Sequence, residues 1–325
     1  MEDILKYRMP GNPVISQTGK LRLADKETIK EGFIFTSFDA SRCYLFEPAE
    51  TQEIQASLHF SAEQPYVFSQ REYLHQAHAL LNGIHQMQLG KAVLSRVKST
   101  AFKGEQAFRL FDALCEAYPN ALVYLLSSGL TGTWAGASPE VLLEAHEGYL
   151  FTMSLAGTKK SSQEEEHWGE KELHEQELVT EFITDQLKYM QVDSIETVGP
   201  YDTYAGPVMH LRTDISAELS GISPWKIAQL LHPTPAVSGL PRPEAMALIG
   251  SVETHDRGLY TGMFGLVKEF SAQLFVNLRC TQLQENHAYL YLGGGFTAQS
   301  IPESEWEETE NKSRTLLNVM EKIQG

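Results

Sequence analysis

Two pairs of glutamates in the second half of the chain have the spacing of a metal site. Glu172 and Glu175 form one pair, and Glu305 and Glu308 form the other. Each pair precedes an apolar stripe with the helical period, so its carboxylates are expected one turn apart on the inward face of a helix. Four such carboxylates, without histidine or cysteine, are hard oxygen ligands that suit Mg²⁺, which keeps several waters and is completed by its substrate.

A simpler interpretation of the same acids is also open. Acidic side chains in the first turn of a helix interact favourably with its dipole and can stay in solvent there. For one helix alone this interpretation suffices, and only the repetition of the pattern favours a metal site. Ser300 and Glu303 predict a capping box at the start of the second helix, with Pro302 in its first turn.

Three further ionisable residues lie in apolar surroundings. Lys91 begins the run KAVLSRV, and Arg279 interrupts LFVNLRC. A buried lysine can have its pKa lowered enough to act as a base, but both residues could equally lie at strand edges with their charges in water. Glu140 precedes a strand in GASPEVLLEA, where apolar surroundings would raise its pKa and suit it to be a general acid.

Other residues are candidates only in combination. The glycines from Gly293 to Gly295 end a predicted strand and would let a ligand approach the backbone closely, although glycines are also common in hairpins. His210 in VMHLRT and Tyr260 in RGLYTG are more often structural than catalytic when considered alone. None of these residues specifies a reaction without the others.

The elements that position these residues follow from periodicity. Apolar runs separated by short turns predict strands in antiparallel pairs. Helical spacing predicts five helices, at about residues 69–87, 105–118, 172–190, 224–232 and 306–323. Strands in two blocks, each followed by helices, predict an α+β fold. The stretch from His232 to Ala245, HPTPAVSGLPRPEA, holds four prolines and predicts a stiff, non-helical loop.

The composition argues against several classes of protein. The chain has 325 residues, 42% of them hydrophobic, and a formal net charge of −16, which disfavours binding to nucleic acids or anionic membranes. Three scattered cysteines without a CxxC pair suggest neither a disulfide framework nor a zinc site. No GxGxxG or Walker A sequence is found. With no signal peptide and no membrane-spanning apolar run, we expect a cytoplasmic protein.

Ten short motifs resemble, in their order, those of the chorismate-binding enzymes, and within that family most of all those of the isochorismate synthase branch. The likeness runs from about Lys91 to the C-terminus, and residues 1–90 are a less characteristic, rather short part of the same predicted single catalytic domain, 1–325. The motifs are KAVLSR, GASPEVLLE, SLAGT, KELHEQELV, HLRT, HPTPAVSGLPRPEA, RGLYTG, NLRC, LGGGF and EWEETENK.

The resemblance implies a fold, a cofactor and a substrate. The fold is a layered β-sandwich core of large, mostly antiparallel sheets flanked by helices. The cofactor is Mg²⁺, held by Glu175 and Glu308, with Glu172 and Glu305 behind them through water. The substrate is chorismate, whose ring carboxylate would bind the metal.

The resemblance also implies roles for other residues. Lys91 would be the general base that activates water for attack on C2, and Glu140 the general acid that protonates the departing C4 hydroxyl. The product, isochorismate, would feed menaquinone or siderophore biosynthesis. Substrate contacts are implied for Ala156, Gly157, Thr158, His210, Tyr260, Arg279, Gly293 and Lys312.

Three features favour the water-using branch over the ammonia-using branches. HPTPA is the form seen in isochorismate synthases, whereas ammonia-using enzymes typically carry a PAGTVSGAPK-like loop there, and SLAGT supports the same branch. Water needs a base, and the amine-adding branches usually lack the lysine of KAVLSR. The alternatives are a salicylate synthase that goes on to eliminate pyruvate, an amine-adding anthranilate or aminodeoxychorismate synthase subunit, and a non-catalytic chorismate-binding relative.

Some expectations concern partners and departures from the family pattern. We expect a monomer without a glutaminase subunit, and no partner besides the small-molecule substrate. Gln176 follows Glu175 where many relatives have histidine, which would change the surroundings of the metal ligand. LGGGF replaces the commoner AGAGI. His232 is expected to have a structural or supporting role.

Overall fold

The computed structural model describes residues 2–49, 57–160, 167–205, 208–219 and 221–324. Within these ranges the helices are α1 (Gln70–Met87), α2 (Ala107–Ala117), α3 (Glu170–Tyr189), α4 (Pro224–Leu231), α5 (Arg242–Val252) and α6 (Pro302–Gln324). The strands are β1 (Asp3–Arg8), β2 (Ile15–Leu23), β3 (Gly32–Thr36), β4 (Cys43–Pro48), β5 (Lys91–Ala101), β6 (Leu122–Ser128), β7 (Gly132–Ser138), β8 (Val141–His146), β9 (Tyr149–Lys160), β10 (Asp193–Ala205), β11 (Val208–Glu218), β12 (Gly239–Leu240), β13 (Met263–Lys268), β14 (Ser271–Val276), β15 (Cys280–Leu283) and β16 (His287–Phe296).

The described strands form one continuous hydrogen-bonded ladder in which every pairing is antiparallel. The ladder folds back on itself, because rings from strands far apart in its order touch. Phe35 of β3 lies 5.3 Å from Tyr124 of β6, and Tyr124 lies 4.9 Å from Phe264 of β13, measured between ring centroids. The predicted α+β fold with a layered antiparallel core is therefore confirmed. The strand order is β10-β11-β9-β8-β14-β13-β3-β4-β2-β1-β6-β7-β15-β16-β5-β12.

The strand β6 shows how the layers are built from its sequence, LVYLLSS. It is buried along its whole length, since both of its faces are covered. Leu122, Tyr124 and Leu126 point into the aromatic core between the two layers of the sheet. Val123 and Leu125, on the opposite face, pack with apolar side chains of α2 and α6. The helices thus cover the outer face of this layer.

The N-terminal strands are an integral part of the sheet. The four strands β1 to β4 lie in the middle of the ladder, between β13 on one side and β6 on the other. One set of their apolar side chains, among them Leu5 and Phe33, belongs to the same aromatic core as side chains of β13 and β16. Within the described ranges, no helix is long and apolar enough to cross a membrane.

The five predicted helices are present, and a sixth was missed. Helix α5 begins at Arg242, inside the stretch predicted to be a non-helical loop, so that part of the prediction was wrong. Pro243 falls in the first turn of α5, where a helix does not need the backbone N–H that proline lacks. The irregular part that remains runs from His232, the residue after α4, to Ser238, where the short strand β12 follows.

The structure changes the predicted role of Ser300 and specifies that of His232. The Ser300 hydroxyl does not form the predicted capping box; it donates to the Glu305 carboxylate at 2.8 Å, while Pro302 does begin α6. His232 is buried, and its Nε2 lies 3.0 Å from the Phe38 carbonyl oxygen. Burial lowers the pKa of His232 to about 4, so the ring is neutral at physiological pH and joins the loop to the turn between β3 and β4.

We predict that Phe264→Ala destabilises the protein by about 3–5 kcal/mol, because it opens a cavity where the layers meet. Phe264 is fully buried, whereas Phe270 on the neighbouring turn is 75% exposed. Urea unfolding followed by circular dichroism measures the free energy of unfolding of Phe264→Ala and of the control variant Phe270→Ala. The control Phe270→Ala should change the free energy of unfolding by less than about 0.5 kcal/mol. Equal losses in the two variants would contradict the layered core.

Candidate active site

One cavity is lined by the strands β5, β9, β11 and β16, by the helices α3 and α6, and by the loops around Glu140, Val237 and Tyr260. Most of the residues predicted to act together lie there, although they come from distant parts of the chain. Glu305 lies behind the wall, and the side chain of Thr158 is outside the described part of the structure. The predicted residues that line the cavity are Lys91, Glu140, Ala156, Gly157, Glu172, Glu175, His210, Tyr260, Arg279, Gly293, Glu308 and Lys312.

An ion pair between strand and helix forms one side of the cavity. Lys91, the first residue of β5, is 2% exposed, and its Nζ lies 2.7 Å from Oε1 of Glu175 on α3. The solvent-exposure alternative for Lys91 is therefore wrong. Because an unpaired charge would be costly at this depth, the contact stabilises both groups and fixes α3 against the sheet.

The glycines of β16 allow this pair to lie close to the sheet. A Cβ at Gly295 would come within 2.8 Å of Cε of Lys91 and 3.2 Å of the Glu175 carboxylate. A Cβ at Gly293 would lie 2.8 Å from the Tyr260 hydroxyl. The backbone here thus borders the cavity directly, as predicted from the triplet.

A second ion pair lies on α6. Lys312 Nζ lies 2.5 Å from Oε1 of Glu308, one turn away, and it also donates to the Gly293 carbonyl at 2.9 Å. Glu305, one turn before Glu308, is 3% exposed and accepts the hydrogen bond from Ser300. The two acids of α6 therefore have different surroundings, since Glu308 lines the cavity and Glu305 is buried behind it.

The acidic residues of the two helices suit a hard divalent cation. Glu172, Glu175 and Glu308 line the same cavity, and two of them are each paired with a lysine of the chain. Within the described ranges, no three acidic, histidine or cysteine side chains converge into a complete protein cage for a metal. Mg²⁺ is compatible with this arrangement, because it commonly takes one or two carboxylates and completes its shell with water and substrate oxygens.

Glu140 has the properties of a carboxylic acid that is protonated near neutral pH. It lies between β7 and β8, and its carbonyl accepts a hydrogen bond from the Val276 N–H at 3.0 Å. Its side chain is 6% exposed. Burial raises the pKa of Glu140 to about 7, against the opposing effect of the Lys91, Arg279 and Lys312 charges.

Arg279 faces the cavity from a strained backbone position. Its φ is +48°, in the left-handed region that residues other than glycine seldom adopt. Its Nε is buried without a hydrogen-bond partner in the described structure. Burial lowers the pKa of Arg279, but a guanidinium remains charged in proteins. Arg279 thus brings to the cavity a permanent positive charge and a donor without a protein partner among the described residues, a combination that suits an anion.

His210 is a neutral hydrogen-bond donor in the wall. Its Nδ1–H donates to the Gly157 carbonyl at 2.8 Å, and burial lowers its pKa to about 3. Gly157 has a φ of +64°, which favours glycine, and a Cβ there would lie 3.1 Å from Cβ of Glu172. Gln176, next to Glu175, faces away from the cavity and donates to the hydroxyls of Ser154 and Thr213.

Several wall residues were not singled out in the sequence. Ala236 and Val237 come from the proline-rich loop, and Val93, Thr261 and Leu278 are further residues of the wall. Val93 could have been found, because it lies two residues after Lys91 on a strand and so shares its face. The loop residues gave no such signal, since their direction depends on how the loop packs.

Comparison with known protein families matches residues 26–321 to the chorismate binding enzymes. The chain belongs to the chorismate-binding enzyme family. The match begins well before Lys91, so the N-terminal strands carry more of the family likeness than the motifs indicated.

Individual chorismate-binding proteins resemble this chain in sequence. It is 30% identical over 262 residues to the vibriobactin-specific isochorismate synthase of Vibrio cholerae, which covers 77% of this chain and 66% of that protein. It is 32% identical over 244 residues to the isochorismate synthase EntC of Escherichia coli, covering 71% of this chain and 62% of EntC. The aligned part thus spans under two thirds of each relative.

The chorismate-binding fold also matches solved structures. A protein provisionally assigned as the 2,3-dihydroxybenzoate-specific isochorismate synthase DhbC of Bacillus anthracis superposes with a TM-score of 0.83 at 25% identity, over 98% of this chain and 96% of that one. The fold of this chain therefore matches that of the solved structure over nearly its whole length.

We predict that Glu140 makes its own contribution to the pH dependence of stability, which comparison of the wild type with Glu140→Gln isolates. Its pKa rises from 4.5 in the unfolded chain to about 7 in the folded one, so the folded state binds an extra proton between these values. The contribution of Glu140 to the free energy of unfolding is therefore fully present below pH 4.5 and is lost as the pH rises. Between pH 4.5 and pH 7, the wild type should lose about 3 kcal/mol relative to Glu140→Gln. Urea unfolding at several pH values measures this difference. The exposed control Glu307→Gln should follow the wild type, and parallel curves for wild type and Glu140→Gln would contradict the raised pKa.

Proposed function

We propose that this protein is an isochorismate synthase, which converts chorismate to isochorismate with Mg²⁺ as cofactor. The proposal depends above all on one observation: a buried lysine and a buried carboxyl with a pKa of about 7 line the same cavity. A reaction that adds water at one carbon and expels hydroxide from another needs such a base and such an acid.

Lys91 and Glu140 would act as base and acid in one displacement. Lys91 acts in this step as the neutral amine, after its ammonium has lost a proton: it takes a proton from water, whose oxygen forms a bond to C2 of the chorismate ring. The two ring double bonds each move by one position, and the bond from C4 to its hydroxyl oxygen breaks. Glu140 gives its proton to that oxygen, which leaves as water. One water enters and one leaves, so the reaction is an isomerisation.

The charges of the cavity suit a substrate with two carboxylates. Arg279 has an unused donor and a planar, permanently charged group that suits the enolpyruvyl carboxylate. Tyr260 and the Gly293 backbone border the same place. Ala156, Gly157 and Lys312 would lie toward the ring carboxylate, with His210 behind them. The overall charge of −16 makes these local cations the basis for anion binding.

Glu175 and Glu308 would hold the Mg²⁺, with Glu172 and Glu305 supporting them through water. When bound, the ion would neutralise the ring carboxylate and help withdraw electrons from the ring. Glu175 comes from α3 and Glu308 from α6, and the Ser300 hydroxyl orients Glu305. The similarity to two isochorismate synthases supports this function for the chain.

Product analysis of the purified protein with chorismate tests the function. We expect isochorismate to form with Mg²⁺ present and to stop forming in excess chelator, with recovery when Mg²⁺ is restored. Full activity in chelator would contradict the carboxylate site. Salicylate with an equal amount of pyruvate would identify a salicylate synthase. An aminated product that depends on ammonium would identify an amine-adding enzyme, and binding without turnover a non-catalytic relative.

Substitution of the acid and the base tests the mechanism. We expect Lys91→Ala and Glu140→Gln each to lower kcat by more than about a hundredfold, the usual contribution of a positioned acid or base. Chorismate binding, measured by calorimetry, should persist in both variants. The control Lys98→Ala removes a lysine of the same strand that pairs with Glu310 away from the cavity. Near-normal turnover of either site variant would refute the role of that residue.

A further inference from the structure

A buried ion pair lies directly behind the cavity wall and takes no part in the proposed chemistry. Arg257 begins the RGLYTG motif, and Glu253 ends helix α5. The guanidinium donates from Nε to Oε2 of Glu253 at 2.8 Å and from Nη2 to Oε1 at 2.7 Å. The two side chains are 3% and 6% exposed, and the guanidinium also stacks 3.9 Å above the ring of Phe38.

The remaining donors of Arg257 hold three separate segments of the wall. Nη2 donates to the Val93 carbonyl at 2.8 Å, and Nη1 donates to the Val237 carbonyl at 3.0 Å and to the Thr261 hydroxyl at 3.3 Å. All three acceptor residues line the cavity. The five N–H groups of one side chain thus join β5, the proline-rich loop and the turn before β13.

Glu253 extends the same network. Its Oε1 accepts the backbone N–H of Ser95 at 2.6 Å, on the strand that carries Lys91. Together, the side chains of Arg257 and Glu253 hold β5 at both Val93 and Ser95. Lys91 lies two residues before Val93 on the same face of this strand, so its position depends on where these bonds place the strand.

The third segment is strained. Thr261 has a φ of +61°, a left-handed conformation that is exceptional for a β-branched residue and persists only where the surroundings enforce it. Its N–H donates to the Asn277 carbonyl at 2.9 Å, and its hydroxyl accepts from Arg257. This turn places the neighbouring Tyr260 hydroxyl over Gly293.

We infer that Arg257, held by Glu253, is a positioning residue for the reaction: it fixes the wall segments that carry Lys91, Val237 and Tyr260. The inference rests on the proposed function. Arginine is required because its planar fork reaches all of the acceptors at once, whereas a lysine ammonium is a compact donor that cannot.

Two variants distinguish the ion pair from the clamp, our name for the hydrogen bonds of Arg257 to Val93, Val237 and Thr261. Arg257→Lys keeps a positive charge opposite Glu253 but loses most of the wall contacts. The double variant Glu253→Gln/Arg257→Met removes both charges, so neither is left buried and unpaired. We expect both proteins to fold and to lose between tenfold and a hundredfold in kcat/KM, mainly through kcat, because small displacements of catalytic groups have effects of this size.

The control is a fully buried residue that lies away from the cavity. Leu110 belongs to the core cluster under α2, none of whose members lines the cavity. Leu110→Ala should lower the urea midpoint at least as much as the Arg257 variants while kcat and KM stay within twofold of the wild type. An equal loss of kcat/KM in Leu110→Ala, or wild-type kcat/KM in both Arg257 variants, would overturn the inference.

Hydrogen exchange measured by mass spectrometry gives a result that does not depend on activity. The Val93 N–H donates to the Ser238 carbonyl at 2.9 Å, so it reports on the junction between β5 and the loop. Exchange in residues 91–97 and 233–241 should be faster in both Arg257 variants and unchanged in Leu110→Ala. Unchanged exchange in the Arg257 variants would refute the clamp. If the wild type does not consume chorismate, the proposed function fails, and the exchange result still decides whether Arg257 holds the wall.

Discussion

The buried contact between the Lys91 ammonium and the Glu175 carboxylate constrains the structure around it. The two atoms lie 2.7 Å apart beneath β16, where only glycine leaves enough room. To reach Lys91, helix α3 must lie against the sheet with Val179 and Ile183 buried below Glu175. The strand, the helix and the glycine triplet are therefore mutually dependent, since the loss of any one would leave a charge buried without its partner.

Other charged side chains in and around the site also have a partner of opposite charge, with two informative exceptions. Lys312 pairs with Glu308, and Arg257 pairs with Glu253. Arg279, by contrast, keeps an unused Nε, and Glu140 is buried deeply enough that its pKa rises to about 7. A donor without a protein partner and a carboxyl that can carry a proton near neutral pH are both features of functional sites. Both of them line the cavity.

Local patterns were sufficient to predict the acid pairs but not their surroundings. Glu172 and Glu175 were placed on one helix face because the helical period depends only on nearby residues. That period could not indicate that Lys91 would meet Glu175, or that the hydroxyl of Ser300, just before α6, would bond to Glu305 and not form a capping box with Glu303. Those contacts join residues far apart in the chain or depend on a packed interior.

The same distinction explains the missed helix and the missed clamp. Four prolines predicted an irregular loop, yet Pro243 lies where the first turn of α5 tolerates it. Arg257 belongs to a motif used for recognition, but its five acceptors come from four places in the chain, and no spacing reveals them. The α+β fold was easier to predict, because it follows from the alternation and grouping of whole elements.

The proline-rich loop contributes its backbone and small side chains to the site, while its histidine faces the interior. His232 bonds to Phe38, whereas Ala236 and Val237 form the wall, and Arg257 holds the Val237 carbonyl. Prolines narrow the conformations that the free loop can adopt, and the clamp fixes the one that remains. A wall built in this way is in place before a ligand arrives, so little binding free energy is lost in ordering it. For the small, doubly charged substrate proposed for this cavity, that would leave more of the interaction with Arg279 available for orientation at the proposed acid and base.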